Sequence, residues 1–157
     1  ASSIIKQPSM FTSETQVRVR YSETDKMGYA YYGHYAAYFE VARVEALRQL
    51  GLSYRQMEDK GIILPVLEYN VKFYKPAFYD DLLTIKTRIE ELPTVRLRFI
   101  SESFSSDGTA LNRAEVVLVF VDQKKNKPCA PPDYFMDKVF SYSCLRPTGH
   151  SWRNSML

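Results

Sequence analysis

The sequence predicts an α+β domain: one long helix on one face of an antiparallel sheet of about five strands. Three observations predict it. An apolar helical period runs from about His34 to Leu50, strand-like alternation precedes and follows it, and mainly short turns join the later strands. Short turns imply antiparallel neighbours.

Residues 1–14 are mostly polar, lack a clear period and read as a flexible lead-in. From Thr15 to Tyr21 the chain alternates, with Val17, Val19 and Tyr21 on one side and Gln16, Arg18 and Arg20 on the other. That pattern is a half-buried strand. Between Ser22 and Gly33 the alternation breaks and glycines enter, so this stretch is a loop. Tyr35, Tyr38, Phe39, Ala42, Ala46, Leu47 and Leu50 then recur at helical spacing, and Gly51 supplies the stop.

Leu52 to Lys60 reads as a short second helix with Ser53 as its N-cap. Ile62 to Tyr74 is strand-like, with an irregular or edge start at Pro65. After a turn at Pro76 to Asp81, Leu82 to Glu91 alternates, and Val95 to Ser101 does so beyond Pro93. Ser106-Asp107-Gly108 is a hairpin signal, and Ala110 to Val121 is the last strong strand. The domain is expected to span residues 15–132, closing near Pro131-Pro132. Residues 133–157 are too aromatic for a solvated tail and read as a C-terminal extension, packed on the domain or on a neighbouring subunit.

The 157 residues suit one domain with its own core. A net charge of +3 does not suggest a nucleic-acid partner, and no apolar run reaches the length of a membrane span. The start, ASSIIKQPSM, does not read as a secretory signal. Cys129 and Cys144 are too few for a disulfide framework and lack zinc-ligand spacing, so no metal is expected and a reducing cytoplasm is the default location. No glycine-rich loop follows a strand, which excludes Rossmann and P-loop readings.

The chemistry concentrates before the long helix. Asp25 stands just ahead of it, separated by Gly28 and an aromatic run. A helix start offers unpaired N–H groups and a partial positive charge. A carboxylate beside such donors forms the elements of an acyl-transfer site: base or nucleophile next to an oxyanion hole. Tyr31 and Tyr32 are candidates for the edges of a pocket, whereas Tyr35 and Tyr38 read mostly as core. His34 lies where a proton shuttle would be useful, but no serine or cysteine nucleophile accompanies it, and it reads as a first-turn helix residue. Glu40 and Arg43 are spaced as an ion pair, and Asp80 and Asp81 as turn-formers. Lys72, Lys75, Arg96, Arg98 and the run Lys124 to Lys127 are candidates for phosphate contacts.

Three strings carry a family resemblance. The first is Tyr21-Ser22-Glu23-Thr24-Asp25 with Gly28, Tyr31, Tyr35 and Phe39-Glu40-Val41-Ala42-Arg43. The second runs from Pro76 to Ile85, and the third is Asn112-Arg113-Ala114-Glu115-Val116 leading to Val119. Together they resemble the hot-dog-fold acyl-CoA thioesterases of the 4-hydroxybenzoyl-CoA thioesterase-like branch. The resemblance implies a long central helix wrapped by a curved antiparallel sheet, and a homodimer, often paired into a tetramer, with active sites between subunits. It implies hydrolysis of an acyl-CoA thioester to a free acid and a thiol, with coenzyme A as part of the substrate and no retained cofactor. The catalytic carboxylate carries over to Asp25, the oxyanion donor to the Tyr32 backbone N–H, and the loop glycine to Gly28. Tyr31 and His34 complete the candidate substrate-binding set.

Asp25 taken by itself is also an ordinary turn residue; the surrounding strings weigh for catalysis. Many relatives have Val at Ala30, and several have His at Tyr32 and Asn or Ser at His34, which bears on acyl selectivity. Alternatives on the same fold are hydrolysis of an acyl-carrier-protein thioester, hydration of an acyl thioester, and thioester binding without turnover. Hydration ranks below hydrolysis, because Asp25 is followed by Lys, Met and Gly rather than by the hydratase's nearby histidine.

Overall fold

The structure is a computed structural model and describes residues 10–143. Strand β1 (Phe11–Arg18) leads through a loop to helix α1 (Tyr35–Gln49) and the short helix α2 (Tyr54–Asp59). The strands β2 (Ile62–Ile63), β3 (Val66–Phe73), β4 (Leu82–Ile89), β5 (Arg96–Phe104), β6 (Ala110–Val119), β7 (Val121–Asp122) and β8 (Lys127–Pro128) follow. Helix α3 (Asp133–Tyr142) ends the described chain. The main sheet has the order β1-β4-β5-β6-β3, antiparallel throughout, and β2-β7-β8 form a small second sheet.

Helix α1 buries Tyr35, Tyr38, Phe39, Ala42, Ala46 and Leu47, the spacing predicted for its apolar stripe. It packs against the face of the sheet that carries Leu83, Ile85, Ile89, Leu97 and Phe99, all fully buried. Its stop is a Schellman motif: the Leu52 N–H donates to the Leu47 carbonyl at 2.8 Å and the Gly51 N–H to the Arg48 carbonyl at 2.9 Å. Gly51 takes φ +81°, a conformation that disfavours any side chain. Ser53 caps α2, its Oγ accepting from the Gln56 N–H at 3.4 Å.

Several boundaries depart from the sequence reading. Of the lead-in assigned to residues 1–14, Phe11 to Glu14 already belong to β1, paired with Ile89 to Lys86. Phe11 and Ser13 face the core there, so the strand period begins earlier than the polar residues suggest. Residues 1–9 lie outside the described residues. The segment from Ile62 to Tyr74 divides at Leu64-Pro65, because Pro65 has no N–H to donate, and its halves join different sheets.

The short turn at Pro76 to Asp81 does not join sheet neighbours either. It carries the chain from the β3 edge past the ends of β6 and β5 to β4. Beyond β8, α3 packs Phe135, Met136, Val139 and Phe140 into the same core. The part of the C-terminal extension from residue 144 onward, with Cys144, lies outside the described residues. Among the described residues no helix is long and apolar enough to cross a membrane.

The core has two parts. Around the C-terminal half of α1 are Ala46, Leu47, Leu50, Phe99, Phe120 and α3. Around the N-terminal half are Tyr35, Tyr38, Phe39, Ala42, Leu83 and Ile85. Between them a buried polar row crosses three strands: Ser13 opposite Thr87, and Thr87 opposite Ser101, whose hydroxyls lie 3.1 Å apart.

Candidate active site

The loop between β1 and α1 is held on both sides by backbone bonds. The Ala30 N–H donates to the Ala77 carbonyl and the Tyr31 N–H to the Glu23 carbonyl, each at 2.8 Å. The crossing segment that carries Ala77 is itself fixed by Asp81, whose Oδ2 accepts from the Phe78 N–H at 2.8 Å, while Asp80 takes a left-handed φ of 69°. These two acids are turn-formers, as their position predicted. Because this segment crosses the end of the sheet, it lies beside the start of α1 and forms part of the site.

Within the loop, the Asp25 N–H donates to the Tyr29 carbonyl and the Gly28 N–H to the Asp25 carbonyl, both at 3.0 Å. Gly28 closes this turn at φ +90°. Asp25 has a turn role as well as an open face. Its Oδ1 accepts from the Met27 N–H at 2.8 Å, and among the described residues no donor meets its Oδ2. One oxygen holds the loop.

The start of the helix is also open. Tyr32–His34 form a tight 3-10 turn that runs directly into α1. The His34 N–H donates to the Tyr31 carbonyl at 3.0 Å, whereas the Tyr32 and Gly33 N–H groups have no acceptor among the described residues. These donors sit at the positive end of the 15-residue helix α1.

Asp25 and Tyr32 line one cavity of about 300 Å³. Its remaining wall is largely aromatic: Tyr29, Tyr35, Phe73 and Tyr74, with the ammonium-bearing Lys75 beside them. Of the residues singled out in the sequence, Asp25 and Tyr32 come together here. Gly28, Tyr31 and His34 are not in the cavity lining. Gly28 shapes the turn. The Tyr31 ring lies over Gly33, against Tyr32 with ring centroids at 4.6 Å and against His34 at 5.8 Å. Tyr35 is both core and wall, only 2 % exposed yet lining the cavity.

The contribution of β3 carries no local signal in the sequence, because Phe73 and Tyr74 are far from Asp25 along the chain and arrive through sheet topology. The same holds for Glu23, whose carboxylate is buried beneath the loop. Glu23 Oε1 accepts from the Arg20 N–H at 2.8 Å and the Tyr38 hydroxyl at 2.9 Å, and Oε2 from the Arg20 guanidinium at 3.0 and 3.3 Å. Burial pushes the Glu23 carboxyl pKa upward, but the bonds from Arg20 and Tyr38 together outweigh it and hold the group below the ordinary carboxylate value. Tyr38 is shifted upward, first by burial and then by the Glu23 carboxylate.

Glu40 and Arg43 do not pair. Glu40 is exposed, whereas Arg43 is 7 % exposed and turned toward the Tyr54 hydroxyl, its Nε without a partner among the described residues. The ion pair along this helix is Glu45 with Arg48.

A family model described as the Thioesterase-like superfamily matches residues 19–139, a span containing this site. The chain is 38 % identical over 116 residues to an acyl-CoA thioester hydrolase, YbgC, of Escherichia coli O6:H1, covering 74 % of this chain and 87 % of that protein. It is 31 % identical over 119 residues to a putative acyl-CoA thioesterase, YneP, of Bacillus subtilis, covering 76 % and 86 %. Among solved structures, a DHNA-CoA thioesterase from Staphylococcus aureus superposes with a TM-score of 0.77 at 37 % identity, covering 83 % of this chain and 89 % of that one.

Proposed function

Because the chain belongs to the thioesterase-like superfamily of hot-dog folds, we propose that it is an acyl-CoA thioesterase, hydrolysing an acyl-CoA thioester to a carboxylic acid and free coenzyme A. One observation carries the reading to particular atoms. Asp25 and Tyr32 line the same cavity, and among the described residues neither the second oxygen of Asp25 nor the Tyr32 N–H has a hydrogen-bond partner.

With the thioester carbonyl oxygen directed at the Tyr32 N–H, negative charge that develops on addition falls at the positive end of α1. Asp25 serves this addition in either of two ways. As a base it takes a proton from water, and the resulting hydroxide adds to the carbonyl carbon. The tetrahedral intermediate then collapses, breaks the C–S bond and expels the thiolate. As a nucleophile it adds directly and expels the thiolate to leave a mixed anhydride, which water then cleaves. Loss of one such backbone donor typically costs about 3 kcal/mol of barrier, so the helix start matters as much as the acid. In both routes the reacting groups are the chain's own, and coenzyme A enters and leaves with the substrate. His34 packs on Tyr31 rather than on the cavity wall, which favours hydrolysis over an Asp–His hydration.

The carrier reading rests on Lys75 in the wall and on Lys72, whose ammonium lies 5.9 Å from the centre of the Tyr74 ring, as cations for the phosphates of coenzyme A. A homodimer belongs to the same proposal. Strand β3 is a sheet edge that pairs only with β6 among the described residues, and it exposes Val66, Leu67, Tyr69 and Phe73. An unpaired apolar edge is the surface on which a second copy adds its own strand. A cytoplasmic location rests on the sparse cysteine content alone.

The test is thiol release from butanoyl-, palmitoyl- and benzoyl-coenzyme A by the wild-type chain, with and without a metal chelator. Turnover of at least one thioester, unchanged by the chelator, is expected. Binding without release from any of them would overturn the proposal.

A further inference from the structure

Glu23 is the best-connected side chain around the site, and the chemistry above makes no use of it. Its carboxylate is 5 % exposed as a residue and accepts four bonds from Arg20 and Tyr38. Tyr38 projects from the first turn of α1 and is itself 3 % exposed. The backbone of Glu23 does further work: its carbonyl accepts the Tyr31 N–H at 2.8 Å, and its N–H donates to the Arg20 carbonyl at 3.0 Å. One residue therefore touches the helix through its side chain and the residue before Tyr32 through its main chain. It also stands two positions before Asp25 in the sequence.

We propose that Glu23 is a positioning residue that sets the placement of the Asp25 carboxylate relative to the N–H groups at the start of α1, acting through the Arg20–Glu23–Tyr38 clamp. This rests on the thioesterase reading. The physical need is specific. Asp25 belongs to a loop closed by a left-handed glycine, and its oxyanion donors belong to a helix. Beyond the shared backbone bonds, the clamp is a side-chain tie between the two. Hydrogen bonds to an ionised, mostly desolvated carboxylate are stronger than neutral ones and hold their geometry better. A displacement of about 1 Å between reacting groups is enough to cost about 100-fold in rate.

The clamp predicts a definite kinetic pattern. Glu23→Gln keeps the shape and removes the charge; Tyr38→Phe keeps the packing and removes only the tie to the helix. Each is expected to lower kcat about 10- to 100-fold with KM changed by no more than about threefold, because alignment in the transition state is lost and substrate contacts are kept. The double variant should be about as slow as the worse single one, since either change releases the same tie. The assays belong well below each variant's unfolding temperature, where a residue serving stability alone would leave kcat untouched.

Thiol release from the best thioester of the panel, measured for these variants and for Asp25→Asn, distinguishes the outcomes. Reduced kcat with non-additivity supports the clamp. Wild-type kcat in Tyr38→Phe, with Asp25→Asn inactive, overturns the positioning role and leaves the thioesterase reading standing. Independent, multiplying losses in the two singles overturn it as well. Should Glu23→Gln fail to fold, Tyr38→Phe alone decides by its kcat-against-KM split. Full turnover in Asp25→Asn would sink the functional reading, and the clamp's role with it.

Discussion

The two ends of α1 are built to different rules. At its C-terminal end, Leu47, Phe99 and Phe120 are fully buried, and Phe135 and Met136 of α3 join them in one cluster. At its N-terminal end, buried Tyr35, Tyr38 and Glu23 sit beneath Tyr32, Met27, Phe78 and Tyr79, each at least half exposed. One end closes on hydrocarbon. The other retains a buried carboxylate, unpaired helix N–H groups and a cavity. The polar row of Ser13, Thr87 and Ser101 divides them. The same helix anchors the fold at one end and leaves unpaired donors beside a cavity at the other, so disturbance at either end should have a different signature.

Truncation in the closed end should affect stability most. Phe135→Ala is expected to cost roughly 3–5 kcal/mol in chemical denaturation, with kcat of the folded fraction unchanged; a fall in kcat without loss of stability would break the division. At the β3 edge, Tyr69→Lys places a charge on the exposed strand and should convert the proposed dimer to monomer in sedimentation at micromolar concentration. A wild-type chain that is already monomeric there would remove the dimer proposal.

Two glycines report on the two ends separately. Gly51→Ala and Gly28→Ala both force a side chain into left-handed backbone, at φ +81° and +90° respectively, each at a cost of about 1–2 kcal/mol. Only Gly28→Ala should lower kcat, because only Gly28 shapes the Asp25 turn. Equal kinetics in the two variants would show that the loop tolerates strain without consequence for the site.

The smallest effect is the pH dependence of the clamp. The Glu23 carboxyl is held below its ordinary 4.5 in the folded chain, so its unfolded form binds a proton first as pH falls. The stabilisation it gives is present above the unfolded value and is lost as pH drops through the folded one. Thermal unfolding of wild type and Glu23→Gln should therefore differ near neutrality and converge in acid. Parallel curves at every pH would contradict the ionised clamp. Arg20 and Tyr38 are the charged or titratable groups bonded to it, and neither titrates in that window.

Much of this was legible in the sequence. The stripe from Tyr35 to Leu50 and the Gly51 stop identify α1 because helix period and C-cap chemistry are local. Leu83, Ile85 and Ile89 identify β4 because alternation is local as well. What was not legible depends on partners distant in sequence. A short turn after Phe73 does not say that β3 pairs with β6 rather than β4, so the aromatic wall from Phe73 and Tyr74 could not be placed beside Asp25. Phe11 and Ser13 belong to a strand because Ile89 and Thr87 lie opposite them, which no local period records. Glu23 beside Arg20 looks like any surface pair until Tyr38 closes over it. Asp25 stands in a local string and lies in the cavity lining, whereas Tyr31 and His34, in the same string, do not.

In the proposed reaction the carboxylate of Asp25 works with the start of α1 to cleave a thioester. The decisive experiment is single-turnover thiol release by Asp25→Asn, with acyl-CoA binding measured in the same preparation. A folded variant that binds the thioester but releases thiol at least about 100-fold more slowly than wild type is the predicted result. Undiminished release by that variant would contradict it.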